Sequence, residues 1–97
     1  MNFIKQRVPV VELLAGLAEE AAELTQAALK LRRVFDGTNP TPTTEEKAID
    51  ALHEEIADVK LYVSLLDVNP REISEIMRKK LSRWEDRLIK KENENNG

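Results

Sequence analysis

Residues 13–35 read LLAGLAEEAAELTQAALKLRRVF, and the spacing of the apolar residues within them decides the fold class. Leu13, Leu17, Leu24, Ala28, Leu31 and Phe35 recur at threes and fours, the period at which side chains line one side of an α-helix. Upstream, Pro9 suits the first helical position, and downstream Asp36-Gly37 supplies a stop, so the pattern predicts a helix from about Pro9 to Phe35. Residues 1–8 fit either extended chain or a short additional helix.

Beyond Phe35 the chain changes character. Asp36-Gly37-Thr38-Asn39-Pro40-Thr41-Pro42-Thr43 is a run of turn formers, in which each proline pushes the residue before it, Asn39 or Thr41, toward extended geometry. Thr43-x-x-Glu46 has the form of a capping box and predicts a second helix to about Leu66, with Ile49, Leu52, Ile56, Val59, Val63 and Leu66 as its stripe. Asn69-Pro70-Arg71-Glu72 opens a third by the same logic, Asn69 as cap and Glu72 as its reciprocal carboxylate. That helix should reach about Lys91 on a stripe of Ile73, Met77, Leu81, Trp84 and Leu88, leaving a polar tail from about Glu92 that has nothing to bury and should fray. Three amphipathic helices joined by short connections predict an all-α helical bundle of one domain over residues 1–97, completed by the N-terminal segment or by another subunit.

Composition sets the outer bounds. A chain of 97 residues with a formal charge of −3 has no global attraction for nucleic acid or for an anionic membrane. The absence of cysteine removes disulfides and thiolate metal sites, and there is neither a cationic-then-apolar leader nor a long apolar span. The expectation is a soluble cytoplasmic protein. A domain this small buries a limited share of its surface, and the rest of the first helix carries Val10, Leu14, Ala18, Ala22, Leu29 and Val34. A homo-oligomer of at least two subunits follows as an expectation.

Several carboxylates do not fit an ordinary solvated face. On a wheel of about 100° per residue, Glu20 falls between Leu17 and Leu24 at roughly 50° from the middle of the first stripe, with Glu23 further around. In the second helix Glu55 borders the stripe, and Asp58 is enclosed by Ala51, Leu61, Tyr62 and Leu65. Acids three residues apart project side by side, so Glu20/Glu23 and Glu55/Asp58 form two pairs that packing would bring together. Anions so placed persist only if paired, protonated or bound to metal, and Lys30, Arg32, Arg33, Lys47 and Lys60 are poorly phased to neutralise all four. All-oxygen donors without a cysteine or histidine cluster favour Mg²⁺, with Mn²⁺ as a substitute, over zinc.

Leu17-Ala18-Glu19-Glu20-Ala21-Ala22-Glu23-Leu24 and Leu52-His53-Glu54-Glu55-Ile56-Ala57-Asp58-Val59 resemble the Glu-Glu-x-x-Glu and Glu-x-x-Asp motifs of all-α nucleoside triphosphate pyrophosphohydrolases, the MazG-like and dimeric dUTPase-like superfamily. The likeness spans about Leu13 to Leu66. It implies Mg²⁺-dependent hydrolysis of a (deoxy)nucleoside triphosphate to monophosphate and pyrophosphate, a chemistry suited to cleansing a nucleotide pool. It further implies that Glu20, Glu23, Glu55 and Asp58 hold the metal, that Glu19 orients a water or adds a ligand, and that Lys80 or Arg83 meets the phosphates. Dimers or tetramers are implied as well. Arg83, Trp84 and Arg87 stand where such enzymes often carry an asparagine and a further basic residue.

The remaining residues offer no other chemistry. His53 falls away from its stripe without an acid partner, Ser64, Ser74 and Ser82 lack a base at useful spacing, and Gly16 and Gly37 are isolated. Tyr62 and Trp84 could stack on a base, but aromatics at helical spacing belong first to a core. Two other classes compete: a non-catalytic helical interaction module whose acids only keep it soluble, and a sensor that binds nucleotide or divalent ion without turnover.

Overall fold

A computed structural model of the chain describes residues 2–38 and 43–96. All regular structure among them is α-helical: α1 (Asn2–Arg7), α2 (Val10–Asp36), α3 (Glu45–Leu65) and α4 (Pro70–Asn96). Asn39, Pro40, Thr41 and Pro42, the expected loop, lie outside the described residues. The helices gather into two compact units, residues 1–67 and 68–97.

The first unit holds α1, α2 and α3. Pro9 stands just outside α2 rather than at its first position, because its ψ of 150° is extended, and its carbonyl accepts from Leu13 N at 3.1 Å. At the other end Gly37 takes the left-handed conformation, φ 76°, and both its N–H and that of Thr38 donate to the Arg33 carbonyl. The Asp36 carboxylate accepts from Thr38 N at 3.0 Å and from the Thr38 hydroxyl, which holds its pKa below the usual carboxylate value, helped by Arg32 and Arg33.

The cap of α3 is one residue later than the spacing predicted. Thr44, not Thr43, is the N-cap, its hydroxyl accepting from Lys47 N at 3.1 Å. That register puts both Glu45 and Glu46 in the first turn, where negative charge meets the positive end of the helix dipole. At the far end Asp67 adopts φ 55° and pairs with Lys5 of α1.

Helices α2 and α3 form an antiparallel pair. Gly16 faces Tyr62, whereas Glu20, four residues on, faces Glu55 and Asp58, four to seven residues back. Leu13, Gly16 and Leu31 are buried from one side, Ala48 and Leu65 from the other. Leu17, Leu24, Ile49, Leu52, Val59, Val63 and Leu66 are half-buried, as the stripes required, while Ile56 of the α3 stripe is exposed. The fit loosens at α2's C-terminal end, where Ala27 is half-buried, Ala28 is exposed and Phe35 is 62% exposed. On α2's outer side Val10, Leu14, Ala18, Ala22 and Leu29 are exposed, while Val34 is half-buried.

The second unit is α4. The Asn69 side chain accepts from Arg71 N at 3.0 Å and Glu72 N at 3.2 Å, with Pro70 first in the helix as expected, although the Glu72 carboxylate returns no bond. Instead of fraying near Lys91 the helix runs to Asn96, since residues 92–96 contain neither glycine nor proline. No residue of α4 is buried, and Trp84, expected in a core, is 59% exposed. No helix among the described residues is long and apolar enough to cross a membrane.

Candidate metal centre

The amphipathic pattern that pairs α2 with α3 also determines which acids meet. Glu20 sits beside the α2 stripe, and the antiparallel register carries Glu55 and Asp58, one helical turn apart on α3, directly to it. One oxygen from each of the three lies within 4.8 Å of the other two, and all three residues are half-buried.

Three carboxylates this close repel one another, and the pair marks of that repulsion are visible. The pKa of Glu20 is pushed from 4.5 to about 7, first by its hydrogen bond to Glu55, then by loss of solvent and by the negative charges of Asp58 and Glu55. Glu55 Oε2 is shut away from solvent and has no hydrogen-bond donor among the described residues. An inward-facing acceptor without a donor is costly unless protonated or met by a cation. No lysine or arginine pairs with any of the three; the ion pairs among the described residues are Lys5–Asp67 and Glu75–Arg78. The set is hard and all-oxygen, and it fits a divalent cation such as Mg²⁺ or Mn²⁺.

The other expected site residues stand apart. Glu23 and Glu19 are exposed on α2 outside the three-acid cluster. Lys80 and Arg83 are exposed on α4, in the second unit. His53 is exposed, in keeping with a surface role.

One neighbour of the cluster escaped the sequence reading. A Cβ placed on Gly16 would stand 2.3 Å from Tyr62 Cε1 and 2.5 Å from Cζ, so the absence of a side chain lets the Tyr62 ring lie against α2 one turn from Glu20 and Asp58. The signal was a glycine inside a helix, which costs about 1 kcal/mol against alanine and so marks a close approach. A shallow groove of about 490 Å³ opens in the same unit, lined by Ala28, Leu31, Arg32, Phe35, Asp36 and Leu52. Its wall on α3, Leu52, stands about one turn from Glu55, and none of the three acids lines it. Compared with protein-family models, curated proteins and solved structures, the chain matches none.

Proposed function

We propose that this chain is a Mg²⁺-dependent nucleoside triphosphate pyrophosphohydrolase of the MazG-like all-α kind, a cytoplasmic homo-oligomer that converts a (deoxy)nucleoside triphosphate to its monophosphate and pyrophosphate. One observation carries the reading: among the described residues Glu20, Glu55 and Asp58 converge from two helices without a cationic partner, and Glu55 Oε2 is shut from solvent with no donor. Those residues lie within the two motifs that resemble the family.

In this reading Glu20, Glu55 and Asp58 hold the ion, and Glu23, one turn from Glu20, is a fourth carboxylate available at the solvent edge. Bound Mg²⁺ supplies neutralisation of triphosphate oxygens and lowers the pKa of water, while Mn²⁺ can take its place. Glu19, exposed beside Glu20, orients the attacking water and accepts its proton. Water adds to phosphorus, a phosphoanhydride P–O bond breaks, and pyrophosphate leaves, so no covalent intermediate on the protein is required.

The test is pyrophosphate release from a panel of standard and modified nucleoside triphosphates, with Mg²⁺, with Mn²⁺ and with chelator. Metal-dependent release supports the reading, and binding without release leaves the sensor. The interaction-module reading is favoured by one observation, the exposure of the whole α4 stripe. It stands if the panel yields neither binding nor release.

A further inference from the structure

Within α4, Met77, Leu81, Trp84 and Leu88 are spaced by four, three and four residues, and each is more than half exposed. That is the d-a-d-a spacing of a heptad seam. In the same frame Lys80 and Arg87 fall at g, Arg78, Glu85 and Glu92 at e, Ser74 at the a position before Met77, and Asn95 at the a position of the last heptad. We propose that α4 is a self-association helix that pairs in parallel with α4 of a second copy.

The flanking charges select both the partner and the direction. In a parallel pair each g residue meets the e residue five positions on in the other chain, so Lys80 meets Glu85 of the second copy and Arg87 meets Glu92 of the second copy. By symmetry both contacts form twice, and none of these pairs joins like charges. An antiparallel pair would instead set Lys80 against Arg87 of the second copy, which offsets its attraction between Arg78 and Glu85 of the second copy, whereas the parallel pair has attractions alone. Asn95 adds a device that favours two strands in register, and Lys91 at d closes the apolar seam.

Magnitudes agree with a pair rather than a lone helix. Four large apolar side chains per copy, with the stems of their flanking residues, cover on the order of 1,000 Å² in total, the lower bound for a specific interface. A helix of 27 residues with no buried residue of its own and the polar end Lys90-Lys91-Glu92-Asn93-Glu94-Asn95-Asn96 is marginal in water unless its apolar face is covered. The inference rests on the self-association in the proposed function and is independent of its chemistry.

The experiment is sedimentation equilibrium of the full chain at tens of micromolar, for wild type, for the double variant E85K/E92K and for the double variant K80E/R87E. Wild type should sediment as two or more copies. Each variant alone places like charges at every g–e contact and should lose at least half that mass, while an equimolar mixture of the two restores opposite charges and should recover it. A single-copy wild type, variants that keep wild-type mass, or a mixture that fails to reassociate would each overturn the proposal. Pyrophosphate release from the same wild-type sample keeps the two readings separable: an associated protein without turnover removes the enzyme and leaves the α4 pair in place.

Discussion

Asp58 and Glu20 pose different questions of the same cluster. Asp58 was legible in the sequence because an aspartate among Ala51, Leu61, Tyr62 and Leu65 has little reason to be there as a solvated charge, although only Tyr62 and Leu65 of these are withdrawn from solvent. Removing it takes away a proposed ligand but also relieves repulsion on Glu20. Asp58→Ala and Asp58→Asn should therefore lose most turnover, while the apo protein melts no lower than wild type and gains less from Mg²⁺. A drop of roughly 1–3 kcal/mol in apo stability, with Mg²⁺ without effect on wild type, would instead mark Asp58 as a structural residue. Glu20 adds a pH dependence. Its folded pKa of about 7 lies above the 4.5 of the unfolded chain, so the fold binds this proton more tightly. The contribution to apo stability is complete below 4.5 and is lost as pH rises through about 7. A cation competes with that proton, so Mg²⁺ affinity by calorimetry should fall by up to about tenfold per pH unit below 7 and level off above it. A flat affinity between pH 5.5 and 8 would remove Glu20 from the ligand set.

At the scale of elements, helix ends and the α2–α3 contact make separate claims on stability. Gly37 holds φ 76° at the end of α2, so Gly37→Ala should cost about 1–2 kcal/mol, the penalty of a left-handed alanine. Asp36, held below its usual pKa by Thr38, contributes in the opposite pH sense to Glu20: its stabilisation is present above the unfolded value and fades as the solution is acidified. Gly16 tests packing. Alanine there gains about 1 kcal/mol of helix propensity but drives a methyl into the Tyr62 ring, a clash of about 1–3 kcal/mol unless the whole ring swings outward. Gly16→Ala should therefore melt lower by a few degrees and increase the exposure of Tyr62 to quencher; an unchanged melt with an unchanged tyrosine would refute the contact. The sequence named α2, α3 and α4, because capping residues and apolar periods are local signals, and left α1 open between helix and extended chain. It misplaced the α3 cap because Thr43 and Thr44 both carry a suitable hydroxyl, and it stopped α4 early because polarity was taken for disorder where only glycine or proline would break the helix.

For the whole molecule, metal binding and folding should be linked. If Mg²⁺ binds the folded first unit alone, a concentration one hundred times Kd stabilises it by about 2.7 kcal/mol, which for a domain of this size raises Tm by roughly 10–20 °C. Chelator should return the melt to its apo value, and a wild type indifferent to Mg²⁺ would count against the metal centre. By itself the sequence determined that the chain is helical, where its main helices lie, and which acids sit at the edges of apolar stripes, because periods and caps depend on neighbours within a few turns. Only the tertiary structure decided that Glu20 meets Glu55 and Asp58 while Glu23 stays outside, since that depends on the rotation and register of α2 against α3. The same register put Gly16 beneath Tyr62 and left Glu55 Oε2 without a donor among the described residues, distances between helices that no local spacing encodes.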